Sequence, residues 1–346
     1  MSYVFSDAPS QPVNRTKKPA AGFLPLLATL LAAIVSPSFL AARSPLPVIF
    51  DTDMMGDVDD VGATAVLHAL ADRGEAKILA MGVCVKNPAT PLCLNALNTW
   101  FGRGEIPIGV VKGAAANEPS RYADKIAREF PHRLKSAAEA ADATALYRRV
   151  LAAQPNGSVV IVTVGMLTNL RNLLDSGPDA ASKLDGAALV KKKVRAWVCM
   201  GGAFPQGREY NIYCDAPAAV EVVKRWPTPV VFSGFEIGAE IMTGKRLRQQ
   251  PASNPVRRAY ELYNGLDNRN SWDQTAVLYA VRGLDGGLPD FWETRTGRLE
   301  VHSDGSDVWH DDPRGPHKHL VKALAPRKVA AAIEDLMLEQ PKPQTK

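Results

Sequence analysis

A series of short, unbroken apolar runs constrains this chain more than any other feature. Val159–Val164 reads VVIVTV, and Pro47–Phe50, Ile78–Val85, Pro107–Val111, Val194–Met200 and Val230–Ser233 are mainly apolar runs of strand length, 4 to 8 residues. Between them, Asp60–Leu70, Leu92–Phe101, Thr144–Ala153, Leu167–Leu174 and Ala216–Trp226 carry apolar residues at helical spacing. A strand that is apolar on both sides must be covered on both faces. Its alternation with helices predicts an α/β fold with an open, mostly parallel sheet flanked by helices and a Rossmann-like core. With 346 residues, 46% of them apolar, the chain can bury a large core. After residue 235 the pattern turns helical, over 255–263 and 272–281. The segment 291–322 breaks it, with a β-hairpin expected around Asp304-Gly305, and a last helix is expected over 327–338. The expected organisation is one domain over 46–340 and a disordered tail over 341–346.

Composition removes several classes. Lys plus Arg is 41 against 36 Asp plus Glu, a net charge of +5 with no basic run interleaved with aromatics, so no nucleic-acid partner is expected. Four cysteines, Cys84, Cys93, Cys199 and Cys214, are too few for a disulfide scaffold and lack zinc-site spacing. Cys84 and Cys199 lie within apolar runs and read as buried thiols.

The N-terminus reads as an address. Basic residues Arg15, Lys17 and Lys18 precede the apolar FLPLLATLLAAIV over Phe23–Val35, then small residues lead to Arg43. That order matches a secretory signal within 1–42, and the protein is expected to be exported, to the periplasm or outside the cell. The alternative is a membrane anchor through 20–42, a stretch without charge.

The chemistry concentrates in DTDMMGDVDD. Asp51, Asp53, Asp57, Asp59 and Asp60 follow one apolar run and open a helix. Carboxylates at this density repel one another unless a cation sits among them, and an all-oxygen set suits a hard ion such as Ca²⁺ or Mg²⁺. The competing reading is a helix cap within a solvated loop. In open parallel sheets ligands bind beyond the carboxyl ends of the strands. The other run ends carry Asn87, the turn Gly165-Met166-Leu167-Thr168-Asn169, Met200-Gly201-Gly202 and Glu209-Tyr210-Asn211. Asp273 follows Trp272 at a later helix start.

Over roughly residues 46–340 this set resembles the calcium-dependent nucleoside hydrolases. The marks are Asp51-Thr52-Asp53 with Asp59-Asp60, the Gly165–Asn169 turn, Met200 followed by Glu209-Tyr210-Asn211, and Asp273. The resemblance implies that Ca²⁺ is held by Asp51, Asp60, the backbone carbonyl of Val164, and Asp273. It implies that Asp59, Asn87, Asn211 and Asp273 bind the ribose 2′- and 3′-hydroxyls, Glu209 the 5′-hydroxyl, and that Met200 lines the ribose floor. The implied reaction is hydrolysis of a ribonucleoside to free base and ribose. Asp51 acts as general base on a metal-held water, and carboxylates stabilise the oxocarbenium-like transition state. The family's assembly implies a homo-oligomer.

The chain departs from that pattern twice. Many members have His before the late Asp, where this chain has Trp272, and a Trp cannot donate a proton at neutral pH. Trp272 is expected to stack on the leaving base and favour purines, with Tyr122 a candidate second partner from 112–130; simple packing is the alternative. The 203–208 segment, AFPQGR, is short, with Gln206 or Arg208 as candidate substitutes toward the 5′ end. His302, His310, His317 and His319 read as solvated hairpin residues rather than a second metal site. Three other functions compete: a binding protein without turnover, a hydrolase of another ribosyl substrate, and a dehalogenase-type phosphatase. The phosphatase lacks its Thr after the second Asp, since Met54-Met55-Gly56 follows here.

Overall fold

The structure is a computed structural model that describes residues 44–288 and 290–342. The N-terminal segment expected to be a signal or anchor, and residues 343–346 of the tail, lie outside the described residues. Of the tail's start, Lys342 donates its backbone N–H to Asp72 Oδ2 at 3.4 Å. Among the described residues no helix is long and apolar enough to cross a membrane.

Strands β1 (Leu46–Thr52), β2 (Ala76–Val83), β3 (Ile108–Val110), β4 (Ala141–Asp142), β5 (Val159–Thr163), β6 (Val194–Met200), β7 (Gln206–Gly207) and β8 (Val230–Ser233) come first. A two-stranded ribbon, β9 (Met242–Thr243) with β10 (Arg269–Asn270), precedes β11 (Trp292–Val301), β12 (Asp307–Asp311) and β13 (His317–Lys322). The main sheet runs β4-β3-β2-β1-β5-β6-β8-β13-β11-β12-β7. From β4 to β13 every pairing is parallel; β11, β12 and β7 are antiparallel additions.

The sheet is therefore open and mostly parallel, as the apolar runs require. Alternate residues feed two cores. Val48, Phe50, Val160 and Val162 face one, with helices Asp59–Asp72, Thr90–Trp100 and Pro326–Met337. Ile49, Val159 and Ile161 face the other, with helices Ala143–Ala152, Thr168–Asp175 and Ala216–Arg225. The chain builds outward from β1 to β4, then returns to the other side of β1 with β5. The order reverses between β1 and β5, and a crevice opens at the carboxyl ends of such a pair. Val164 N–H donates to the Asp51 carbonyl across this junction at 2.8 Å.

Two sequence expectations need correction. Val230–Ser233, the last apolar run before the pattern turns helical and expected to close the parallel series, does not close it: β13 pairs with β8 in parallel and carries the β11–β12 hairpin into the same sheet. For that reason His317 and His319 are buried rather than solvated. His319 stacks on Phe204 at 4.3 Å, and His317 Nδ1 accepts the Leu299 N–H at 3.0 Å. All four cysteines are free, and Cys84, Cys93 and Cys199 are buried.

Helix Asp59–Asp72 is buried along nearly its whole length, and helix Trp272–Leu278 packs against it. Their closeness depends on Gly62: a Cβ there would lie 2.6 Å from the Tyr260 hydroxyl and would overlap the Gln274 amide. The absent side chain lets the two helix starts, and the carboxylates they carry, meet.

Candidate active site

A cleft of about 330 Å³ lies at the carboxyl edge of the sheet, within the size range of small-molecule sites. Asp53, Asp57, Asp59, Asp60, Val164, Met200, Glu209, Asn211, Trp272 and Asp273 line it. These residues are up to 220 positions apart in sequence, yet they sit at strand ends, at helix starts or, for Asp53 and Asp57, in the short loop between β1 and the helix that follows it.

Asp59, Asp60 and Asp273 form its floor. One carboxylate oxygen from each lies within 4.8 Å of the other two, and all three residues are buried. Asp60 accepts hydrogen bonds from the Thr52 hydroxyl and, at 3.1 Å, from Met54 N–H. Asp59 Oδ2 accepts the Asp273 N–H at 3.2 Å. Met54 holds the intervening loop in a left-handed conformation, φ +46°, which is strained for a residue with a long side chain. Burial, then mutual repulsion, pushes the Asp59 and Asp273 carboxyls well above the usual range; burial raises Asp60 to about 6. Asp53, also on the cleft wall, is raised for the same reasons. Anions so placed are stabilised by a bound cation, and this all-oxygen donor set fits a metal ion.

Asp51 stands at the end of β1, fully buried and behind the cleft wall. Its Oδ2 accepts from the Tyr147 hydroxyl and, at 2.8 Å, from Asn169 Nδ2. Its Oδ1 is buried with no hydrogen-bond partner among the described residues. Burial raises its carboxyl to about 6 against those hydrogen bonds and a contact from the Cys84 thiol. Asn87 sits at the rim, outside the cleft lining. Its side chain accepts from Ala89 N–H at 2.9 Å and donates to the Glu118 carbonyl at 3.3 Å.

Opposite the carboxylates, Glu209 caps the short helix Tyr210–Cys214 by accepting from Asn211 and Ile212 N–H at 3.0 and 3.1 Å. It is buried, and burial pushes its carboxyl up to about 7. Asn211 Nδ2 donates to the Met200 carbonyl at 3.4 Å and lies 3.3 Å from its sulfur, which joins the two residues into one wall. Neither candidate from the short 203–208 segment reaches this wall. Gln206 belongs to β7, paired with β12, and Arg208 donates to the Asp304 carbonyl and covers the Tyr213 ring.

The remaining wall is aromatic. Trp272 donates its indole N–H to the Phe235 carbonyl at 2.7 Å and stacks on the Phe235 ring at 5.4 Å. The Arg269 guanidinium lies 5.2 Å from the Trp272 ring and 5.7 Å from Tyr263, held by an ion pair with Asp57. Tyr122, expected as a stacking partner, is instead fully buried in the core. Sequence reasoning missed Phe235, Tyr263 and Arg269, because two aromatic residues in helical stretches and an arginine in a two-residue strand carry no motif. It missed Tyr147 for a similar reason, since only the fold aims its hydroxyl at Asp51.

A carboxylate floor, a polar wall and an aromatic wall at the switch point of an open α/β sheet define a small-molecule site that fits a metal ion. Residues 48–331 match the family model described as inosine-uridine preferring nucleoside hydrolase. The chain belongs to that family, whose members are N-glycosyl hydrolases. It is 35% identical over 105 residues to the pyrimidine-specific ribonucleoside hydrolase RihA of Escherichia coli, a match spanning 28% of this chain and 30% of that protein. In fold it is similar to an inosine-uridine preferring nucleoside hydrolase from Bacillus anthracis (TM-score 0.62, 18% identity, covering 84% of this chain and 99% of the other). It is similar also to a purine-preferring ribonucleoside hydrolase from Gardnerella vaginalis (TM-score 0.60, 20% identity, 84% and 99%).

Proposed function

We propose that this cleft hydrolyses the N-glycosidic bond of ribonucleosides to free base and ribose, with Ca²⁺ at the carboxylate floor. The observation that carries the reading is the facing of the Asp59, Asp60 and Asp273 cluster by the wall of Glu209, Asn211 and Met200 in one cleft. Asp60, Asp273, Asp51 and the Val164 carbonyl are the groups that would hold the ion. When bound, it supplies a fixed positive charge that orients a water and the ribose diol.

The protein's own groups do the rest. Asp51 Oδ1, buried and without a hydrogen-bond partner among the described residues, accepts the water's proton. Asp59, Asp273 and Asn211 fix the 2′- and 3′-hydroxyls, which converts a bimolecular attack into an oriented one. Asn87 donates one amide N–H to the Glu118 carbonyl and keeps the second for a ribose hydroxyl. Glu209 takes the 5′-hydroxyl, using the lone pairs its helix cap leaves free. The carboxylates stabilise the positive charge that develops at the anomeric carbon.

Trp272 lines the cleft and supports a purine preference through stacking on the larger base. The base would take the place beside the ring now held by the Arg269 guanidinium. The relatives differ on this point by name, one pyrimidine-specific and another purine-preferring. The chain is further proposed to be exported, suited to scavenging nucleosides outside the cell, and to act as a homo-oligomer.

The test is ribose release from a panel of purine and pyrimidine nucleosides, with Ca²⁺ and after chelation, with Asp51→Asn as control. Calcium-dependent release, lost in the variant and fastest on purines, is expected. No release from any nucleoside by protein that still binds Ca²⁺ would overturn the reading in favour of a binding protein or another ribosyl substrate.

A further inference from the structure

We propose that Tyr147 is a positioning residue that, together with Asn169, fixes the rotation of the Asp51 carboxylate and leaves a single oxygen for the reaction. The inference rests on the functional reading above for what meets that oxygen; the arrangement itself stands on geometry. Tyr147 belongs to helix Ala143–Ala152, whose apolar side chains pack in the core on the opposite face of the sheet from helix Asp59–Asp72. To reach Asp51, its hydroxyl must pass a neighbouring strand. It does so at Gly82, the register partner of Asp51 on β2. A Cβ at Gly82 would overlap both the Tyr147 hydroxyl and Asp51 Oδ2.

From the other side, Asn169 Nδ2 arrives at 2.8 Å on the same Oδ2. Two donors from two helices thus converge on one oxygen, the Cys84 thiol adds a weaker contact to the carboxyl, and Oδ1 is left buried without a hydrogen-bond partner among the described residues. A carboxylate otherwise free to turn about its Cβ–Cγ bond is held in one orientation. The orphaned Oδ1 is costly in an empty site and useful once a cation or a water meets it. The Tyr147 side chain is fully buried, and its hydroxyl donates to Asp51.

The experiment compares full-length wild type with Tyr147→Phe, which keeps the ring and removes only the hydroxyl, and with Asn169→Ala, which leaves Tyr147 in place. Ca²⁺ affinity is measured by calorimetric titration of chelator-treated protein, kcat and KM by ribose release at saturating Ca²⁺, and folding by thermal unfolding. Groups that orient a metal-site carboxylate typically contribute about 10- to 100-fold in affinity or rate. Each variant is therefore expected to bind Ca²⁺ about tenfold or more weakly and to lose kcat, with nucleoside KM little changed. A purely structural hydroxyl would lower the unfolding temperature alone; Ca²⁺ affinity and kcat within about twofold of wild type in a folded variant overturn the proposal. Wild type that binds no Ca²⁺ overturns it too. If wild type releases no ribose but Tyr147→Phe still weakens Ca²⁺ binding, the positioning role stands and the nucleosidase reading falls. An active wild type whose variants are indistinguishable from it gives the reverse.

Discussion

Stripping metal from the carboxylate floor should leave buried carboxyls whose contribution to stability falls as the pH rises. Asp51 titrates at about 6 in the native state instead of 3.8, because burial penalises its charge. Asp60 is raised to about 6, and Asp53, Asp59 and Asp273 move in the same direction. A carboxyl whose native pKa is raised binds more protons folded than unfolded between the two values. Its stabilising effect is complete below about pH 4 and is lost as the pH climbs through about 6. For Asp51, at about 1.4 kcal/mol per pH unit, the loss is about 3 kcal/mol. About two-thirds of that loss falls between pH 4.5 and 7, and in a unit of this size 1 kcal/mol moves the unfolding temperature by roughly 2 °C, so Asp51 alone predicts a fall of about 4 °C in metal-free protein over that range. Its carboxylate neighbours add to it. Ca²⁺ takes over from the protons, so the gap between loaded and metal-free protein should widen with pH, by RT ln(1 + [Ca²⁺]/Kd) at each point. Scanning calorimetry of chelated and Ca²⁺-loaded protein from pH 4.5 to 8 measures both curves, and Asp51→Asn isolates its share. Buried His68, His317 and His319, whose pKa values burial lowers, act in the opposite direction over this range, so the decisive quantity is the difference between metal-free wild type and Asp51→Asn: a difference that does not change with pH would refute the argument from buried charge.

Other outcomes follow from single contacts. Gly82→Ala should destabilise the fold by about 3 kcal/mol by driving the Tyr147 hydroxyl off Asp51, and adding Tyr147→Phe should recover part of that loss in chemical denaturation. Trp272→Ala should lower kcat/KM for inosine by at least about tenfold and leave uridine much less affected, since stacking is worth more on the larger ring system; equal losses on both would remove the stacking role. Arg148 is buried, and its guanidinium holds Asp179, Ser176 and the carbonyls of Ser182 and Leu184. Arg148→Met should cost about 3 kcal/mol in denaturant titration, with ribose release unchanged in the folded variant.

Much of the site was legible before any fold was known. The DTDMMGDVDD cluster announced itself because acidic residues gathered directly after an apolar strand have few structural uses. Glu209, Asn211 and Met200 could be singled out because they follow a strand end. The aromatic wall could not, since Phe235, Tyr263 and Arg269 sit in stretches whose composition suits any helix or loop. Nor could the burial of His317 and His319. The charge-rich segment around them reads as solvated until β13 is seen between β8 and β11.

The division has a physical reason. Periodicity and unbroken apolar runs are local properties, and burial on two faces translates them directly into a parallel sheet with helices on both sides. The sequence by itself therefore determined the architecture and the carboxylate ends of its strands. Which side chains converge depends on strand order, helix approach and absent side chains across the sheet. Only the tertiary structure decided that β1 meets β5, that Gly62 lets two helix starts close on one another, and that Gly82 leaves the gap through which Tyr147 reaches Asp51.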